Sequence, residues 1–215
     1  YLARYIVKSV IGFLSKEEEG NRGDKISEVT LASIKNAATG ITADKMNELI
    51  SAEPQIEGRA WRIQDRLRRV KEKGERDLGA TTLIVGHISE EGMLNLLVIG
   101  DCGFCVVNEE TVLEHHGSVA DGAPDQISLP NPDIDELEGK MQMFKIQLAP
   151  KDKVLAFSDG LMKGQYKTAE ALAKRAQELL AEGKSIQEVN AALIVEAKGD
   201  TSQWDDDTTS IATGS

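Results

Sequence analysis

The chain is short of cysteine, of positive charge and of long apolar runs, and each shortage removes a class of protein. Two cysteines, Cys102 and Cys105, cannot build a disulfide framework. No stretch is long enough to span a bilayer. Lysine and arginine number 25 against 36 acidic residues, for a formal charge of -11. Nucleic acid and anionic membrane both demand a basic face, so neither is expected as the main partner. The opening residues, Tyr1 to Leu14, are fairly apolar but carry no basic leader and no small-residue cleavage site. The expected compartment is the cytoplasm.

What is present describes one soluble globular domain over residues 1–215, with 40% hydrophobic and 28% charged residues and enough chain for a substantial core. Leu2, Tyr5, Ile6, Val10, Phe13 and Leu14 recur at helical spacing and predict an opening amphipathic helix. Lys16 to Asp24 reads as a charged, glycine-containing loop, with a second helix after Ser27 ending near Gly40. A short helix capped by Thr42 and another after Pro54 are expected next. The latter carries Arg59, Arg62, Arg66, Arg68, Arg69, Lys71 and Lys73, which read as a solvated face because no aromatics interleave them.

From Gly79 the period changes. Thr81 to Ile88 and Met93 to Ile99 predict a hairpin about Glu90-Glu91-Gly92, the second strand buried on both faces. Phe104 to Val107 continues as a strand and turns at Asn108-Glu109-Glu110. His115 to Lys140, polar with three prolines, reads as a long flap, where substrate choice would reside. Met141 to Leu148 alternates, with Phe144, Ile146 and Leu148 inward. Helices are expected after Thr168 and from Ser185, where Glu188 completes a capping box.

Two stretches organise the chain. Val154 to Phe157 is an apolar run that stops at Ser158-Asp159-Gly160, and Asp205-Asp206-Asp207 lead into Thr208 to Ile211. Each places a carboxylate at the end of a buried strand, which is unfavourable unless a cation or a hydrogen-bond network meets it. Two such sites suggest a shared metal with hard oxygen ligands, Mg²⁺ or Mn²⁺.

Gly79-Ala80-Thr81-Thr82, Gly100-Asp101, Ser158-Asp159-Gly160-Leu161 and Asp206-Asp207-Thr208-Thr209 occur in that order. This ordered set resembles the metal-dependent serine/threonine phosphatases of the protein phosphatase 2C type, including the stage II sporulation protein E type. The resemblance implies an α+β fold, an antiparallel β-sandwich flanked by pairs of antiparallel helices. It implies metal ligands at Asp159 and Asp206, with Asp205 as the alternative to Asp206, and Asp101 as ligand of a third, looser ion or else a turn residue. Two or three Mg²⁺ or Mn²⁺ ions would then activate a water for direct attack on phosphoserine or phosphothreonine of a protein. Thr81 and Thr82 support their strand.

Two departures from the pattern stand out. The usual Gly-Asp-Ser-Arg is here Gly100-Asp101-Cys102-Gly103. The family's early Asp-Gly-x-Gly-Gly turn has no counterpart, and Asp121-Gly122 is no substitute by position. Truncation of the front is the expectation, and a non-catalytic module that binds a protein partner is the alternative. His115 or His116 could protonate the leaving alkoxide, but solvated surface histidines are the simpler reading, and His87 reads as structural. Cys102-Gly103-Phe104-Cys105 enters a strand, which argues against redox or zinc roles. A thiol redox protein is the third reading. Trp61 and Trp204 read as packing residues. Oligomeric state is not encoded in any motif.

Overall fold

The computed structural model describes residues 2–40, 79–117, 127–129, 133–198 and 210–214. The helices expected after Thr42 and Pro54, the basic run, Trp61, Trp204 and Asp121-Gly122 lie outside them.

In chain order the elements are helices α1 (Leu2–Leu14) and α2 (Glu19–Gly40), then strands β1 (Gly79–Thr81), β2 (Leu83–Ile88), β3 (Met93–Ile99), β4 (Gly103–Val107), β5 (Val112–His116) and β6 (Ile127–Leu129). After helix α3 (Ile134–Lys140) come β7 (Gln142–Gln147), β8 (Lys153–Phe157) and a π-helical turn (Met162–Tyr166). Helices α4 (Ala169–Ala181) and α5 (Ile186–Lys198) precede β9 (Ser210–Gly214). The strands form sheets in the orders β1-β6, β2-β3-β7 and β5-β4-β8-β9, and β4 pairs antiparallel with both β5 and β8, as β8 does with β9.

The chain divides into two compact units. The first comprises Tyr1–Ser89, Asn95–Ile99 and Gln126–Met143. Its core gathers Ile6, Val10, Ile26, Ile34, Leu97 and Ile99. The expected loop from Lys16 to Asp24 is largely helix, since α2 begins at Glu19. Charge and glycine suggested a loop, but both serve the helix. Arg22 pairs with Glu19 one turn back, and Lys25 with Glu17. Gly23 is buried on the inner face, where a Cβ would lie 2.3 Å from Asn95 Nδ2, so its missing side chain lets α2 approach β3. The single strand expected from Thr81 is broken at Thr82 into β1 and β2.

The second unit comprises Glu90–Leu94, Gly100–Asp125 and Phe144–Ser215. Cys105, Val107, Leu155 and Phe157 on the sheet pack with Leu172, Ala176, Leu179, Val189 and Leu193 from α4 and α5. Both helices start as expected. Thr168 Oγ1 accepts from Ala171 N–H at 3.1 Å, and Ser185 and Glu188 form the reciprocal capping box. The flap expected from His115 to Lys140 is not one loop. Its described part holds the end of β5, strand β6 and helix α3, which Asp133 caps by accepting from Glu136 N–H.

Candidate metal centre

Strand β8 is buried at Val154, Leu155 and Phe157, and its end projects Ser158 and Asp159 out of the sheet. Asp159 is only 9% exposed. Two backbone bonds turn the chain at once: Leu161 N–H donates to Ser158 O at 3.1 Å, and Met162 N–H to Asp159 O at 2.8 Å. The second bond opens the π-helical turn, which Lys167 N–H closes on Met162 O at 2.9 Å. Lys167 adopts a left-handed backbone, φ 67°, uncommon for a residue with a side chain.

Register brings the predicted residues together by topology. Gly103 of β4 lies opposite Phe157 of β8 in an antiparallel pair. Asp101 precedes Gly103 by two residues and Asp159 follows Phe157 by two, so both stand at the same end of adjacent strands. On the other side of β8, Ser210 of β9 lies opposite Phe157, so β9 starts at that end too. Asp206 and its alternative Asp205 lie outside the described residues, four and five positions before Ser210.

Glycine makes this end of the sheet close-packed. A Cβ at Gly103 would lie 2.3 Å from Phe157 Cε2 and 2.7 Å from His116 O. A Cβ at Gly117, where φ is 135°, would lie 3.0 Å from Gly103 Cα and 3.3 Å from the Met162 sulfur. Gly103 therefore stands where it does because backbone, not side chain, must fill the space.

Neighbouring nucleophiles and bases are structural. Burial pushes the Cys105 thiol up to about 12, so it stays protonated and inert at neutral pH. Cys102 is also buried and free of disulfide. Against the surface reading, His116 is half-buried at the end of β5, its ring 4.7 Å from Phe144 and 5.9 Å from Phe104. Desolvation lowers its pKa below the usual histidine value. His115, one residue earlier, is exposed as expected. In the first unit His87 Nε2 lies 3.3 Å from Glu19, and Nδ1 is buried with no hydrogen-bond partner among the described residues.

Among the described residues, no group of three or more His, Cys, Asp and Glu could hold a metal ion. Asp101 and Asp159 are the carboxylates that the strand ends of β4 and β8 supply, and their hard oxygen donors suit Mg²⁺ or Mn²⁺.

One cluster escaped the sequence. Tyr166, the last residue of the π-helical turn, donates its hydroxyl to Glu196 Oε2 at 2.7 Å. Arg175 of α4 grips both oxygens of the same carboxylate, Nε to Oε2 at 3.0 Å and Nη2 to Oε1 at 2.9 Å. The guanidinium holds Glu196 below the usual carboxylate range, and burial, then the hydrogen bond to Glu196, raises Tyr166 above the usual phenol range. Tyr166 therefore remains a donor. Residues thirty apart with no periodic relation leave no mark in a sequence pattern.

A sequence comparison with curated proteins finds no significant match. Similar solved structures include the photosystem II phosphatase PBCP, at 15% identity and TM-score 0.53, covering 89% of this chain and 58% of that one. The phosphatase domain of the cell fate determinant SpoIIE from Bacillus subtilis is 16% identical at TM-score 0.48, covering 87% and 72%. The catalytic domain of the serine/threonine protein phosphatase PstP, solved with two manganese ions, is 14% identical at TM-score 0.48, covering 98% and 78%. The chain thus spans less than two thirds of the PBCP structure it matches, and the shared feature is the fold. Residues 36–214 match the family profile described as stage II sporulation protein E. The chain therefore belongs to the stage II sporulation protein E family, with the mixed α+β fold of the protein phosphatase 2C-type phosphatases.

Proposed function

We propose that this chain is a Mg²⁺- or Mn²⁺-dependent phosphatase domain that hydrolyses phosphoserine or phosphothreonine on a protein. The observation that carries the reading is the register: family membership is joined to two aspartates at one end of β4 and β8, one of them buried. In this reading Asp159 and Asp206, with Asp205 as the alternative, hold the catalytic ions, and Asp101 holds a third, looser one. Residues 1–215 then form one phosphatase domain. A divalent cation bound there supplies Lewis acidity, acidifying a water and neutralising phosphoryl charge.

The protein's own part is to bind and orient. Asp159 offers anionic oxygens from a nearly water-free position, where their attraction for a cation is least screened. The backbone bond from Met162 N–H to Asp159 O fixes the direction in which that side chain leaves the strand. The close packing at Gly103 and Gly117 holds the strand ends of β4, β5 and β8 against one another beside Asp159. His116 is half-buried against Phe104 and Phe144, and this partial desolvation lowers its pKa, which favours its neutral form. A phosphorylated protein is the partner that fits, and no helix among the described residues is long and apolar enough to cross a membrane.

The test is hydrolysis of p-nitrophenyl phosphate and of a phosphoserine peptide with Mn²⁺. Mn²⁺-dependent turnover by the wild-type chain, reduced at least about a hundredfold in Asp159→Asn, is the expected outcome. A folded chain without Mn²⁺-dependent turnover would shift the reading to a phosphatase-like module that binds a protein.

A further inference from the structure

We propose that Tyr166, Glu196 and Arg175 form a clamp that positions Asp159, so that the affinity of the site for its metal depends on a hydroxyl at the far end of the turn that follows it. This deepens the phosphatase reading and rests on Asp159 as a metal ligand.

The π-helical turn is the connecting piece. Its first residue, Met162, donates its N–H to Asp159 O at 2.8 Å, and its last, Tyr166, carries the hydroxyl bound by Glu196 at 2.7 Å. Turns of π-helix are rare and frequently occur at functional sites. This one ends in a left-handed lysine, Lys167, a conformation that persists only where surrounding contacts enforce it. The clamp is such a contact. Glu196 of α5 is held at both oxygens by Arg175 of α4, a bidentate pair that fixes the carboxylate plane and aims Oε2 at the tyrosine.

The near end of the turn is fixed as firmly. Met162 is fully buried, and its sulfur packs beneath Gly117, whose Cα region abuts Gly103. Gly103 opens β4 two residues after Asp101. A shift of the turn would therefore be felt at Asp159 through its carbonyl and at the strand end beside Asp101 through Met162.

The hydroxyl is not required to close the core. Leu172, Ala176, Leu179, Val189 and Leu193 already pack α4 and α5 on the sheet, and a phenylalanine ring would fill the volume of Tyr166. Removing the hydroxyl leaves Glu196 with Arg175 as partner, so no charge is stranded. What the phenol adds is direction.

The experiment is Mn²⁺ titration by calorimetry of the wild-type chain, Tyr166→Phe and Glu196→Gln, with the folded fraction of each measured by circular dichroism. Half-saturating Mn²⁺ and KM for p-nitrophenyl phosphate are measured beside it. Expected is a Mn²⁺ affinity about tenfold weaker per folded molecule in both variants, as for other residues that orient metal ligands. Thermal midpoints should stay within a few degrees of wild type and KM should not change. Wild-type Mn²⁺ affinity in both variants would overturn the clamp while leaving Asp159 as ligand. Loss in proportion to unfolding, or failure of both variants to fold, would reduce the cluster to a structural role and overturn it equally. Absence of Mn²⁺ binding by the wild-type chain would remove the phosphatase reading itself.

Discussion

Strand β8 is flanked by a buried aspartate at each end, and the two sit in different local structures. Asp152, one residue before the strand, is 3% exposed. Its Oδ1 accepts from Asn108 Nδ2 at 2.9 Å and its Oδ2 from Ala149 N–H at 2.8 Å. Asn108 in turn accepts from the N–H groups of Glu110 and Thr111 and so closes the β4–β5 turn. Here a carboxylate and an amide lock two turns together. At the other end, Asp159 is followed by glycine and a π-helical turn, beside strand ends packed closely at Gly103 and Gly117. Two aspartates seven residues apart, flanking one strand, thus meet the same desolvation problem, one within a turn network and the other at the mouth of a π-helical turn. Burial of a carboxylate is therefore no sign of chemistry until its surroundings are known.

The sharpest way to break this contrast is at the structural end. Asp152→Ala leaves the Asn108 amide and the Ala149 N–H without their acceptor in a buried turn, and should cost about 2–4 kcal/mol. Urea unfolding measures it, and a loss below about 1 kcal/mol would erase the distinction between the two ends. A smaller effect should appear with acid. The folded-state pKa of Glu196 lies below its ordinary value of 4.5 because of Arg175. Its contribution to stability is thus complete above about pH 4.5 and disappears as pH falls through the lower folded value. Glu196→Gln should flatten that acid slope by under about 1 kcal/mol, since the pair is partly exposed. Glu182 and Glu188, also lowered, keep part of the slope in the variant. Thermal midpoints between pH 3 and 7 decide it, and an unchanged slope would mean that Glu196 is not stabilised by Arg175.

The sequence made the central strands and the helix caps legible, for physical reasons. Leu94 to Ile99 and Phe104 to Val107 are apolar on both faces, and caps such as Thr168 and Ser185–Glu188 act within one turn of chain. Ordered Asp-Gly motifs pointed to Asp101 and Asp159, and the register of β4 and β8 sets both at one end. What escaped was non-local. Gly23 reads as a loop residue until Asn95 is seen against it, and His116 reads as solvated until Phe104 and Phe144 flank it. The π-helical turn and its Tyr166 clamp have no period and no motif. Asp206 lies outside the described residues.

The central claim concerns Asp159, and direct Mn²⁺ binding tests it more closely than turnover does. Calorimetry on the wild-type chain and Asp159→Asn, each with a urea unfolding curve, separates ligand from structural aspartate. The account predicts that Asp159→Asn loses Mn²⁺ affinity by at least about a hundredfold while its stability changes by less than about 1 kcal/mol. Unaltered Mn²⁺ binding, or a stability loss as large as that of Asp152→Ala, would contradict it.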